Sequence, residues 1–257
     1  MVRASVIGCG NMGSALVRGL SESGTHAVTA CDVDPAALET VEDCAETTTD
    51  PSVAAEADVV VVAIKPGLVV DVVDDLDLSP DQILVSFAAG VPTSVLEPHT
   101  DATLVRAMPN LAAETQNMAA AVTGETIPEE VTTLLGAVGE FVEVEESQMD
   151  IATAVNGSGP AFVFYLIGAM RDAGVDAGLE PDDAEVLAAQ TFKGAAETVL
   201  RSERSIEELI DAVCSPKGTT IEGMEVLWDS TADEAVADAV GAAEQRSAEL
   251  AADIDDD

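Results

Sequence analysis

The chain has 257 residues, 47% hydrophobic but only 3% aromatic, so its core must be built from Ala, Val, Leu and Ile. Acidic residues number 49 against 10 basic ones, a formal net charge of −39. That field argues against a nucleic-acid partner and against an anionic membrane surface, because phosphate binding needs a basic stripe.

The acids are spread through every segment, and lysine occurs only at Lys65, Lys193 and Lys217. This is the pattern of adaptation to high salt, where screening relieves self-repulsion. The chain enters an apolar strand at Val2 without a charged leader, and no run approaches 18 uninterrupted apolar residues. A cytoplasmic protein without a membrane span is expected. Cys9, Cys31, Cys44 and Cys214 form no CxxC pair and no metal-ligand spacing. They are expected to be reduced and buried, with no metal bound.

In chain order, short Val/Ile/Ala runs alternate with amphipathic stretches up to about Gln148, the signature of βαβ units around a parallel sheet. Strands are expected at 2–7, 27–31, 59–63, 83–86, 103–108, 118–122 and 141–144. Pro35, Pro66, Pro92 and Pro128 fall where intervening helices should start, since a missing N–H costs least there. After Met149 the strand pattern stops. The remainder reads as helices punctuated at 157–160, 178–181 and 215–218, ending in a frayed acidic tail. The fold class is therefore α/β: a Rossmann-like parallel-sheet domain over 1–149, then an all-helical domain over 150–257.

The first strand runs directly into Gly8-Cys9-Gly10-Asn11-Met12-Gly13, with GxGxxG spacing. Gly8 allows the tight turn and Gly10 lets a pyrophosphate approach the backbone. Gly13 lets helix and strand pack closely, and the helix N-terminus receives the negative charge. A lone GxGxxG is a weak signal, but here strand, helix and a distant acid agree. Asp32 stands 19 residues after Gly13, at the tip of the second strand, where a carboxylate accepts hydrogen bonds from a ribose. The same charge would repel a 2′-phosphate, and no arginine lies between Arg18 and Arg106 to offset it. NADH or NADPH is the expected cofactor, with NADH favoured.

Four further strings extend the reading: Val62-Ala63-Ile64-Lys65-Pro66, Arg106-Ala107-Met108-Pro109-Asn110, Asn156-Gly157-Ser158-Gly159-Pro160-Ala161-Phe162 and Cys214-Ser215-Pro216-Lys217-Gly218-Thr219-Thr220. In this order and spacing the chain resembles the pyrroline-5-carboxylate reductases over nearly its whole length. The resemblance implies reduction of a cyclic imine, L-1-pyrroline-5-carboxylate, to L-proline by hydride transfer from NAD(P)H, the last step of proline biosynthesis. It implies that the helical domain is a dimerisation and substrate domain, giving a homodimer or a ring of dimers acting on a small molecule.

By motif, Ala63, Ile64, Lys65 and Pro66 should border the cofactor, as should Ala88, Ala89 and Gly90. Ser215, Lys217, Gly218, Thr219 and Thr220 should bind the substrate, with the Thr220 hydroxyl on the imine nitrogen as the catalytic group. Converging loop amides and the helix that follows Pro216 suit a carboxylate. Alignment of imine and hydride donor then carries the rate, with no metal or strong acid required.

The sequence departs from the family pattern at Lys217, where glycine is usual, at Asn156, where a small residue is usual, and at Asp50, often asparagine. Lys217 either strengthens carboxylate binding or projects outward. Arg106 is expected to fix loops by hydrogen bonds, and His26 and His99 to lie on the surface. Two other readings compete. A 3-hydroxyacid dehydrogenase-like enzyme would need a catalytic lysine such as Lys193, and a non-catalytic dinucleotide-sensing dimer would not need the Ser-Pro-x-Gly-Thr-Thr loop.

Overall fold

The computed structural model describes residues 2–255, with side chains through Leu250. Eight strands form one sheet: β1 (Arg3–Ile7), β2 (Ala27–Cys31), β3 (Glu46–Thr48), β4 (Val59–Val62), β5 (Ile83–Ser86), β6 (Thr103–Pro109), β7 (Met118–Thr123) and β8 (Gly139–Glu143). Their spatial order is β3-β2-β1-β4-β5-β6-β7-β8, and every neighbouring pair is parallel except β6 with β7. The seven expected strands are all present, with ends shifted by at most two residues.

The unforeseen strand is β3, Glu-Thr-Thr at one edge. It has no apolar run to announce it, and its place comes from backbone pairing of Glu46, Thr47 and Thr48 with Thr29, Ala30 and Cys31. Glu46 on β3 and Glu140 and Glu143 on β8 put charge on both open edges, which discourages pairing with another chain.

The helices of this region are α1 (Asn11–Ser23), α2 (Pro35–Leu38), α3 (Pro51–Ala54), α4 (Val69–Asp75), α5 (Thr93–Leu96), α6 (Glu129–Gly136) and α7 (Met149–Ala152). Pro35 opens α2, Pro66 opens a short 3-10 turn (Pro66–Leu68), and Pro92 and Pro128 immediately precede α5 and α6. Strand β4 shows why the sheet is buried on both faces. Successive side chains alternate across a strand, and all four valines of β4 are buried. Val59 and Val61 join Leu16 and Leu20 of α1 and Leu134 and Leu135 of α6. Val60 and Val62 join Val69 and Val73 of α4 and Leu96 of α5. Full burial of such a side chain is worth about 1.5–3 kcal/mol.

His26, expected at the surface, is half-buried with both ring nitrogens shielded from solvent, and burial lowers its pKa. His99 is partly exposed, with its Nδ1 2.8 Å from Asp74 Oδ1.

Chain contacts divide the protein into two compact units. The first runs up to Ser158 and takes up the chain again from Val240, and the second is Gly159–Ala239. The division falls at Ser158 rather than after residue 149 because the turns that follow β8 belong to the sheet. Met149 is buried with Met108 and Ala121. Asn156, in the π-helical turn Thr153–Ser158, donates through Nδ2 to the carbonyls of Met108 (2.6 Å) and Ala119 (3.0 Å). From the C-terminal segment, the Ser247 hydroxyl donates to Asp150 at 2.7 Å.

The second unit is helical: α8 (Gly159–Asp176), α9 (Pro181–Arg201), α10 (Ile206–Val213), α11 (Thr219–Trp228) and the first part of α12 (Ala232–Asp255). Helix α8 packs along α9, and the link between them carries Gly178 in the left-handed region and Pro181 at the first position of α9. Its surface is unusually apolar for a single chain: Phe164, Tyr165, Leu200 and Trp228 are 70%, 78%, 71% and 57% exposed. The helical run Glu146–Asp176, 31 residues, is long and apolar enough to cross a membrane by length and composition, which the uninterrupted-run criterion had not flagged. Helix α12 continues through Asp255, so the tail expected to fray is helical to that point; residues 256 and 257 lie outside the described residues.

Candidate active site

The residues expected to hold a dinucleotide come together at the carboxyl ends of β1, β2, β4 and β5. The chain order of the sheet reverses between β1 and β4, and this is where open α/β sheets form ligand crevices. Gly8 leaves β1 with φ 96°, and a Cβ there would stand 2.6 Å from both the Ala63 carbonyl oxygen and Ile64 Cγ2. The loop thus lies directly on the end of β4. A Cβ on Gly13 would fall 1.8 Å from the Gly8 carbonyl oxygen, so the first turn of α1 is pressed onto the loop.

Gly10 differs, because its missing Cβ faces open space and its backbone is extended (φ −69°, ψ −167°). Packing does not require glycine there. The vacant space beside the α1 N-terminus suits a pyrophosphate, and although the chain is rich in acids, none stands in the first turn of α1. The residues present fit a bound dinucleotide. A cleft of about 350 Å³ runs along the outer face of α1, lined by Gly10, Asn11, Ser14, Arg18, Thr40 and Glu114 among others.

Asp32, at the end of β2, accepts the Cys9 backbone N–H at Oδ2 (2.7 Å) and the Asp34 backbone N–H at Oδ1 (2.9 Å). Its carboxylate therefore fastens the glycine loop to β2, a task the spacing alone did not reveal. Arg18 does not offset this charge; it donates to the Thr40 carbonyl (2.8 Å) and pairs with Glu114 at 3.4 Å. Burial, reinforced by Asp32, pushes the Cys9 thiol up to about 12, and burial lifts Cys31 to about 11. Both remain thiols, and all four cysteines are free; Cys9 and Cys31 are buried as expected, whereas Cys44 and Cys214 are only half-buried.

Lys65 caps the 3-10 turn at the end of β4 and is exposed, without an ion pair among the described residues. Ala88, Ala89 and Gly90 follow β5. Ala88 is fully buried, its N–H donates to Ser86 Oγ, and Gly90 turns the chain with φ 72°. Arg106 is 4% exposed and its guanidinium pairs with Glu146, which identifies it as a structural cation. Sequence reasoning missed Glu146. The available signal was that an arginine inside a strand of a buried sheet demands a carboxylate partner.

The residues expected to bind substrate lie in the second unit. Ser215-Pro216-Lys217-Gly218 is a β-turn closed by the Gly218 N–H donating to the Ser215 carbonyl at 2.9 Å, with Gly218 as the N-cap of α11. Thr219 and Thr220 form its first turn, which also carries Glu222. Lys217 is exposed and adopts φ 60°. Proline at the second position and positive φ at the third define a type II turn, whose third position favours glycine. Lys217 thus holds a left-handed conformation that costs about 1–2 kcal/mol for a residue with a Cβ. Lys217→Gly is expected to raise stability by about 1 kcal/mol, or about 2–4 °C in thermal midpoint. Parallel measurement of the substrate KM separates the two readings of the cation: a rise of several-fold marks a carboxylate contact, and an unchanged value marks an outward side chain.

Residues 146–250 match the family described as pyrroline-5-carboxylate reductase dimerisation, and residues 3–90 match the family described as NADP oxidoreductase, coenzyme F420-dependent. A pyrroline-5-carboxylate reductase of Methanosarcina acetivorans is 37% identical over 95% of this chain and 96% of its own length. The solved structure of a pyrroline-5-carboxylate reductase from Coxiella burnetii superposes with a TM-score of 0.87 at 32% identity, covering 97% of this chain and 98% of that one. A Plasmodium falciparum pyrroline carboxylate reductase solved with NADP bound gives a TM-score of 0.83 at 26% identity, with the same two coverages. With a glycine loop, a sheet switch point and a Ser-Pro-x-Gly-Thr-Thr turn in one chain matched from end to end, this protein belongs to the pyrroline-5-carboxylate reductase family.

Proposed function

We propose that this chain reduces L-1-pyrroline-5-carboxylate to L-proline, the imine nitrogen taking its proton from solvent to give the iminium and the hydride then going to the imine carbon. The observation that carries the reading is the Ser215–Gly218 turn opening α11, in a chain aligned over 95% of its length with a reductase of that name. The nicotinamide, when bound, supplies the hydride. Gly10, Asn11 and Met12 hold its pyrophosphate on the α1 N-terminus, and Ala63–Pro66 and Ala88–Gly90 line its path. The amides at Gly218, Thr219 and Thr220 receive the substrate carboxylate, with Ser215 and Lys217 beside them, and the Thr220 hydroxyl hydrogen-bonds the imine nitrogen. No residue acts as a strong acid; the iminium is already electrophilic, and alignment accounts for the rate.

Asp32 sets the cofactor preference. A fixed carboxylate at the end of β2 accepts ribose hydroxyls and repels a 2′-phosphate, so NADH is preferred over NADPH. The exposed apolar surface of α8 and its neighbours is covered by a second copy of the chain, which accounts for Glu146–Asp176 without a membrane. Dimers further associated into rings, and a cytoplasmic, salt-adapted enzyme without a nucleic-acid partner, complete the reading. Light scattering at molar salt gives the copy number, and a monomer would overturn the covering.

The decisive assay supplies the pure protein in molar salt with pyrroline-5-carboxylate and either cofactor. Loss of reduced-cofactor absorbance and formation of proline are expected, with kcat/KM for NADH at least about five-fold above that for NADPH, a difference of about 1 kcal/mol. Absence of both signals overturns the function. Equal or better use of NADPH overturns only the role given to Asp32.

A further inference from the structure

The loop between β5 and α5, Ala88 to Thr93, is held from below at two points by one short segment. Glu146, which begins the 3-10 turn Glu146–Gln148, presents two carboxylate oxygens in different directions. One accepts from Arg106 of β6, and the other accepts the Thr93 hydroxyl at 3.3 Å. Three residues later Met149 is buried with Met108 and Ala121, and Ala89 packs against that cluster. The turn itself is set by a capping box, in which the Glu145 N–H donates to Gln148 Oε1 at 3.0 Å.

Arg106 is the fixed end of this arrangement. It lies opposite Ser86 of β5 in the sheet register, its side chain is 5% exposed, it pairs with Glu146 through Nη1, and its Nε is buried without a partner. The guanidinium has therefore no alternative acceptor among the described residues, and Glu146 is bound to it. Ser86 meanwhile accepts the Ala88 N–H, so the start of the loop is also tied to the strand that Arg106 adjoins.

We propose that Glu146 is a positioning residue for the cofactor, because its carboxylate joins Arg106 to Thr93 and so fixes the Ala88–Thr93 loop in the shape that receives the nicotinamide end of the dinucleotide. This rests on the reading that Ala88–Gly90 borders the cofactor. A loop ordered before binding loses less conformational freedom when the ligand arrives, so releasing it weakens binding more than it slows the bound chemistry.

Thr93→Val removes the hydroxyl while keeping the shape of the side chain, and it leaves the Arg106–Glu146 pair intact, so the sheet is spared. Its KM for NADH, measured in the full-length enzyme, is expected to rise about three- to ten-fold with kcat within about two-fold, whereas Thr93→Ser keeps wild-type values. Glu146→Gln is expected to raise the same KM at least as much. Ala89→Leu, which crowds the loop directly, tests the underlying reading. If Thr93→Val changes only the thermal midpoint or kcat while Ala89→Leu raises the cofactor KM, the brace is purely structural and the proposal falls while the loop reading stands. If Ala89→Leu also leaves the cofactor KM unchanged in a folded enzyme, the loop does not border the cofactor and both fall.

Discussion

Adding one methyl group at Gly13 is expected to cut cofactor-dependent turnover severely, whereas adding one at Gly10 should weaken cofactor binding without loosening the fold. The two glycines belong to the same motif but face different neighbours. At Gly13 the new Cβ would lie 1.8 Å from the Gly8 carbonyl oxygen and 3.3 Å from Val6 Cγ1. The first of these is backbone and cannot step aside, so α1 must move away from β1. Overpacking of this kind costs about 1–3 kcal/mol, and here it also displaces the N-terminal amides proposed to hold the pyrophosphate.

Gly13→Ala should therefore lower the thermal midpoint and reduce kcat/KM by at least about 100-fold, a loss of about 2.7 kcal/mol of transition-state stabilisation. At Gly10 no atom lies within 4 Å of the added Cβ, so Gly10→Ala should melt with the wild type and show its effect only in cofactor affinity. A Gly10→Ala enzyme with wild-type affinity for both NADH and NADPH would mean that the pyrophosphate does not cross this point. A Gly13→Ala enzyme of normal activity would contradict the close approach of α1 to the loop.

The thermal midpoint should rise by on the order of 10 °C or more between dilute buffer and about 2 M potassium chloride, because screening shortens the Debye length from about 10 Å at 0.1 M to about 3 Å at 1 M. The source of the effect is the formal charge of −39. Ion pairs cannot neutralise it, since only 10 residues are Lys or Arg. Most pairs present are also exposed, as in Arg3 with Asp58 and Arg246 with Glu249, and such pairs contribute about 0–1 kcal/mol each. Sucrose at matched osmolality serves as the control, because it favours compact states by exclusion without screening charge. A midpoint that is flat in salt, or that rises equally in sucrose, would remove charge repulsion as the cause.

Much of the first unit could be read in one dimension. Buried parallel strands must be apolar on both faces, so Val59–Val62 and Ile83–Ser86 stood out as runs, and prolines and glycines marked where helices could begin or end. The glycine spacing marked the loop after β1 for a similar reason, since Gly8 and Gly13 each answer to a local steric demand. What escaped was whatever depends on a partner distant in sequence. Strand β3 has no pattern of its own and exists because β2 offers its backbone. His26 read as a surface residue until its neighbours closed over both ring nitrogens.

The same distinction runs through the site. Asp32 was legible as an acid at a strand tip, since strand length and spacing put it there. That its carboxylate also holds the Cys9 amide depends on β1 and β2 lying side by side. Lys217 was visible as a departure from a glycine position, but only the turn geometry, with φ 60°, gave the departure a physical cost. Glu146 was one acid among 49 and nothing in its immediate neighbours set it apart. Its pairing with Arg106, 40 residues earlier, and with Thr93, 53 residues earlier, required the sheet to bring β6 and α5 to the same turn. Local sterics and hydropathy act along the chain and so are written in residue order, whereas a hydrogen bond between remote side chains exists only once the backbone has placed both ends within 3.5 Å.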